Sequence, residues 1–301
     1  MKLTAPLSLP LHIWLCLVAL LLTAGLSRAQ FATNLTIERT TFLSQEPITA
    51  TVTIINRSGA DVVMSGSGPR ASWLSFDITD PAGRPVSASN MEPEAAFVFK
   101  AGDTISRKIT INDTYAMSEP GAYSLKATVY HPPSRQHFES NGERFTVTDA
   151  RAFKTFPFGV PQAYPGAGRM RSYHMIVFRE SDRTTLYSRL VDDRTQSSLI
   201  TAQLGPINLS LEPQMQLDRE NRLHAFFLAV PKIFMHITIT PDGKVAKREY
   251  YREVEDSRPT LITTATGEFA VTGGQPYDPN AQSTATQRPK GRSASERPPG
   301  L

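Results

Sequence analysis

The chain has 301 residues, a single cysteine and a formal net charge of +4. That cysteine, Cys16, lies in an apolar leader, so the rest of the chain has no disulfide, no thiolate nucleophile and no zinc site built on sulfur. The basic excess sits at the two ends, in Lys2 and Arg28 and in Arg288, Lys290, Arg292 and Arg297 against Glu296; residues 30–280 are near −1, which removes any domain-wide basis for binding nucleic acid.

Lys2 supplies a thin positive start, Ile13 to Leu26 is an almost unbroken apolar run, and Ser27-Arg28-Ala29 places small residues where a signal peptidase reads. Residues 1–29 therefore read as a cleaved signal peptide. The run is shorter than the roughly 20 residues a helix needs to cross a bilayer, so the mature chain is expected to be secreted or periplasmic and not membrane-spanning. Ile13-Trp14-Leu15 before Cys16 lacks the small residues of a bacterial lipoprotein signal. Four sequons follow, at Asn34, Asn56, Asn112 and Asn208.

Residues 30–149 show short alternating runs separated by turn residues. Leu35-Thr36-Ile37 precedes the turn Ser44-Gln45-Glu46-Pro47; Ile48, Ala50, Val52 and Ile54 then alternate with threonines up to Asn56-Arg57-Ser58-Gly59. Leu74, Phe76 and Ile78 alternate before Pro81-Ala82-Gly83, and Ile105, Ile109 and Ile111 share a face that Arg107 interrupts, which predicts a half-buried strand with Arg107 at the sheet margin. Period-two alternation with regular turns predicts an antiparallel sandwich. In "SEPGAYSLKATVYHPP", Tyr123 follows a Pro-Gly turn and Leu125, Ala127 and Val129 alternate behind it. This arrangement resembles the immunoglobulin-like modules of exported bacterial proteins. The resemblance implies that Tyr123 pins a corner by bonding nearby backbone, that Leu125 stands at the core position where antibody domains carry cysteine, and that Trp73 is the core tryptophan.

Residues 150–170, rich in Pro, Gly and aromatics, read as a linker. In 171–274 a repeat of about 46 residues emerges: Pro213 superposes on Pro259, Met215 on Leu261, Leu223 on Phe269 and Ala225 on Val271, with an earlier copy around Tyr173 and His174. A period of this length with several short strands looks like part of a β-propeller. Two and a half units are too few to close one, so the region is expected either to complete a sheet by oligomerising or to form a second sandwich. The fold class is thus all-β throughout.

"NRLHAFFLAVPKIFMHITIT", residues 221–240, reads as a hairpin about Pro231-Lys232. With Val230 opposite Ile233 and regular pairing, Phe227 falls opposite His236, and His224 and His236 then point to opposite faces and share no metal. An odd register would reverse that.

No nucleophile elbow, His-Glu-x-x-His, phosphate-cradling loop or dinucleotide fingerprint is present. Asp192-Asp193 and the acids of "REVEDSR" (252–258) read as solvated turns, and His131 and His137 as surface histidines flanking a loop. No catalytic, cofactor-binding or metal residues are assigned. From Gln275 the chain is rich in Pro, Ser, Thr and Arg and reads as a disordered tail. The function expected is that of a non-catalytic exported protein binding or scaffolding a protein or glycan at the cell envelope. The alternatives are a glycan-active hydrolase or lyase on the second domain, and a secreted protease inhibitor presenting loop 65–72 or 131–137.

Overall fold

The computed structural model describes residues 30–66, 72–89, 95–117, 119–180, 182–279 and 281. The expected signal peptide, most of the loop at 65–72 and all but the start of the C-terminal tail lie outside these. The described chain is built of antiparallel strands and divides into two compact units, one holding 48–147 with the chain up to Thr41, the other holding 42–47 with 148 onward.

The first unit is a sandwich. One sheet pairs β1 (Phe31–Ile37), β3 (Thr49–Asn56) and β7 (Thr104–Thr110); β2 (Thr41–Leu43) lies between β1 and β3 in the chain. The facing sheet holds β5 (Leu74–Thr79), β8 (Gly121–His131) and β10 (Glu143–Thr148), with β9 (Gln136–Glu139) on the end of β8. A short ribbon of β4 (Val62–Met64) and β6 (Phe97–Phe99) completes it. The threonine alternation of β3 gives strictly alternating burial, so Ala50, Val52 and Ile54 are inside. The tyrosine corner is present: the Tyr123 hydroxyl donates to the Glu119 carbonyl at 2.8 Å, while Leu125 and Trp73 are buried. β7 is more exposed than its isoleucines imply, because it is an edge strand; Arg107 lies over the Phe97 ring at 5.6 Å.

The second unit contains two meanders. The first runs in order β11 (Lys154–Gly159), β12 (Met170–Arg179), β13 (Thr184–Asp192) and β14 (Ser197–Pro206). β11 falls inside the stretch that reads as linker: Phe156 and Phe158 alternate there, and Phe158 stacks on Tyr173 at 4.5 Å. The second runs β15 (Gln214–Leu217), β16 (Leu223–Val230), β17 (Ile233–Ile239) and β18 (Val245–Arg252), with β21 (Gln275–Pro276) added at its edge. Gln275 and Pro276, expected to be disordered, are thus paired, and Tyr277 N–H also donates to the Tyr250 carbonyl at 2.8 Å.

One core lies between the meanders, from Tyr173, Met175, Leu186 and Leu204 on one side to Leu223, Ala225, Phe227 and Ile237 on the other. The opposite face of the second meander carries a smaller core, in which Phe226, Leu228 and Phe234 meet Leu261, Phe269 and Val271 of a hairpin, β19 (Thr260–Thr263) and β20 (Phe269–Thr272). The strands β15 and β16 begin 46 residues before β19 and β20 in the chain. Because both faces of β16 and β17 are covered, almost every residue of these strands is buried. Any histidine there has to find its partners inside the protein.

Candidate functional site

Pro231 decides what becomes of the two histidines. The primed turns that match strand twist need positive φ at the first central position, which proline's ring forbids. The hairpin instead puts Lys232 in the left-handed region, at φ 66°, and takes up the mismatch as a bulge at Ala229. Val230 still stands opposite Ile233, as the sequence suggests, but Leu228 pairs with Phe234 and Phe226 with His236. The extra residue reverses the facing of everything upstream. His224 and His236 consequently share the face beneath β19–β20, correcting the expectation that they point apart.

They meet end to end. His224 Nδ1 is 3.1 Å from His236 Nε2, with the ring centroids 5.3 Å apart and the planes 24° from parallel. His224 Nε2 is 3.1 Å from Asp218 Oδ2, and His236 Nδ1 is 3.2 Å from Glu249 Oε2. The outcome is a four-membered line, Asp218–His224–His236–Glu249, with both histidines at least nine-tenths buried, at 7% and 4% exposure.

Each member is placed by its strand. Asp218 opens the β15–β16 turn, where its Oδ1 accepts the Glu220 and Arg222 backbone N–H groups at 2.9 Å; Arg222 Nε donates to its Oδ2 at 2.6 Å. Glu249 is the β18 residue opposite His236, and Lys247 Nζ lies 2.7 Å from its Oε1. Thr238, opposite His224, brings Oγ1 to 3.5 Å from His224 Nδ1, and Phe269 of β20 covers the His224 ring at 4.8 Å.

The electrostatics follow from burial and neighbours. Burial drives the His236 pKa below the ordinary histidine value, and the adjacent His224 adds to this. Asp218 is pushed upward by burial, but its bonds from Arg222 and His224 outweigh that and hold it below the usual carboxylate value. Glu249 behaves alike, with Lys247 the main opposing group. Such a line can hold and share protons. The donors run in sequence instead of converging on a point, and no cluster of three or more histidine, cysteine or carboxylate residues suited to a metal occurs among the described residues. A groove of about 350 Å³ opens beside Asp218 and His224, lined also by Arg219, Glu220, Arg222 and Glu268.

The other sequence candidates stand apart. Asp192 is buried where a solvated turn residue is expected, and it caps the turn after β13 by accepting the Arg194 and Thr195 N–H groups at 3.0 and 3.1 Å; Asp193 accepts the Ser172 hydroxyl. His131 is likewise buried, not superficial, with Nδ1 2.7 Å from Ser134 Oγ and the ring edge-on to Phe31. His137 contacts the Tyr130 ring at 5.1 Å. The acids of 252–258 lie in a turn closed by a Val254–Ser257 bridge. Asp218 and Glu249 carry no local sequence signal, since nothing near them marks the bulge that brings the histidines to them except Pro231.

No family model and no curated protein matches this chain. Among solved structures it is similar to the alkylpurine DNA glycosylase AlkC of Pseudomonas fluorescens, at 18% identity over 43% of this chain and 33% of that one, with a TM-score of 0.28. A β-glucosidase of Listeria innocua matches at 18% identity and a TM-score of 0.22, over 39% of this chain and 16% of that one. The sporulation control protein Spo0M of Bacillus subtilis matches at 9% identity and a TM-score of 0.28, over 59% of this chain and 84% of that one. The chain thus spans a third or less of the first two proteins, and likenesses this weak carry no functional argument.

Proposed function

We propose that the protein is an exported, non-catalytic binding protein that holds a partner protein at the cell envelope or outside the cell. The observation that carries this is the closure of the histidine cluster on itself. All four imidazole nitrogens of His224 and His236 face groups of the same chain, so none is aimed at a bound substrate.

The surface supports a binding role. Val63 and Val98 stand opposite each other on the β4–β6 ribbon, 57% and 59% exposed, while Val62, Met64 and Phe99 beneath them are buried. Paired outward valines on a short ribbon offer an apolar anchor for a protein surface. No helix among the described residues is long and apolar enough to cross a membrane, which leaves β-barrels unaddressed.

The test is co-sedimentation of the purified protein with cell envelopes of its source, run beside hydrolysis assays on glycan and peptide libraries. The reading expects sedimentation, its loss after protease treatment of the envelopes, and a marked weakening by Val63→Asp with Val98→Asp at unchanged stability. Sedimentation that survives protease and falls with glycan digestion would make the partner a glycan. Turnover of any library member, abolished by Asp218→Asn or Glu268→Gln beside the groove, would replace the reading with that of an enzyme.

A further inference from the structure

The His224–His236 line has a proton count that does not balance with neutral rings. Three contacts join four groups, and each contact needs one proton between its two heavy atoms. The two carboxylates supply none when ionised. Two neutral imidazoles supply two, so one contact must then set lone pair against lone pair. That deficit falls at His236–Glu249, at His224–His236 or at Asp218–His224, depending on the tautomers, and every choice leaves at least one. A single additional proton fills all three contacts. A second additional proton puts N–H against N–H across the 3.1 Å gap between the rings.

We propose that Asp218, His224, His236 and Glu249 form a one-proton latch: a single cation shared by the two adjoining rings holds hairpin β19–β20 on the sheet, and a second proton releases it. The link to the hairpin is direct. Phe269, the first residue of β20, lies on the His224 ring, and Leu261 and Val271 continue the same small core onto Phe226 and Phe234. The hairpin is fastened to the sheet face by few side chains, of which Leu261 is buried and Phe269 and Val271 only partly so, and repulsion between two adjoining imidazoliums acts directly against that fastening.

The charges facing the rings are known from every element packed on them. The β15–β16 turn brings Asp218 and, behind it, Arg222. β18 brings Glu249 backed by Lys247. The hairpin brings Glu268, which lines the groove with His224. Asp218, Glu249 and Glu268 against Arg222 and Lys247 leave one negative charge, which a single ring cation balances and two exceed. Burial first, and then the charge of His224, disfavour protonation of His236, so the ring resists a cation of its own beside a charged neighbour. The second proton comes from solvent through the groove beside Asp218 and His224.

The experiment is nitrogen NMR of the imidazole rings in the full protein from about pH 9 to about pH 4, with amide exchange followed at Leu261 and Val271 over the same range. At neutral pH the pair is expected to show a single shared cation. Below the second step, exchange at the two hairpin amides, corrected for its intrinsic rate, is expected to rise about tenfold per pH unit while core amides of β12 and β13 stay protected. Glu249→Gln gives a readout that a merely structural role would not: its amide donates to His236 Nδ1, all three contacts fill without the extra proton, and the shared cation disappears from neutral pH with the hairpin still protected. If that variant fails to fold, the ring signals of the unmodified protein decide. Two neutral rings at neutral pH, or hairpin exchange that does not follow the acid step, would overturn the latch.

Discussion

The Tyr123 hydroxyl donates to the backbone carbonyl of Glu119 at 2.8 Å, closing the corner where the chain enters β8. The ring also stacks on Phe145 of β10 at 5.5 Å, with the planes within 6° of parallel. Burial holds the phenol's pKa above its ordinary value, so it stays a donor throughout the physiological range. Tyr123→Phe keeps the stacking and removes the bond. We expect a loss of about 1–2 kcal/mol, read as a lower urea midpoint at unchanged slope.

Asn56 belongs to a sequon, yet it is fully buried and its amide nitrogen donates to the carbonyls of Ala60, Phe99 and Lys100. A glycan on that nitrogen is incompatible with the fold, whereas Asn34 is exposed. Expression in a glycosylating host should leave Asn56 unmodified in folded protein, as mass spectrometry of its peptide would reveal. Asn56→Ala should cost about 2–3 kcal/mol, since the change strands buried carbonyls.

Lys232 holds a left-handed conformation at φ 66° in the β16–β17 turn. Side chains are disfavoured there and glycine is not. Lys232→Gly should therefore stabilise the protein by about 0.5–1 kcal/mol, seen as a higher thermal midpoint, with the register and both histidine contacts unchanged.

Asp218 is a depressed carboxylate: despite the upward push of burial, Arg222 and His224 hold its pKa below the ordinary value of 3.8. The unfolded chain thus takes up this proton before the folded one does. The stability it contributes is present above the ordinary carboxylate value and is lost as pH falls through the folded one. Asp218→Asn should cost about 2–3 kcal/mol at neutral pH, and the gap from the unmodified protein should narrow in denaturation series run at successively lower pH.

Gly274 has φ +64°, and a Cβ there would sit 2.4 Å from Pro259 Cγ and 2.7 Å from the Arg252 carbonyl oxygen. Gly274→Ala should therefore destabilise the junction between β20 and β21 by at least about 2 kcal/mol, first visible as faster amide exchange in β19 and β20.

Alternation and turn residues were enough to establish from the sequence that the chain is all-β, that Leu125 is core and that Tyr123 makes a corner. Each of these depends on near neighbours: which face a residue takes is set by its parity within one strand, and a corner tyrosine reaches only four residues back.

What only the tertiary structure decided was parity across a turn. A single extra residue at Ala229 reverses every side chain upstream of it, so the direction of His224 relative to His236 depends on the twist of two paired strands and not on their composition. The same limit hid Asp218 and Glu249, ordinary surface-type residues that become partners of a buried pair only when β15, β16, β17 and β18 lie side by side. It also hid the strand at 154–159 and the pairing of Gln275 and Pro276, where a neighbouring strand's free hydrogen-bonding edge, absent from any local window, fixes the backbone.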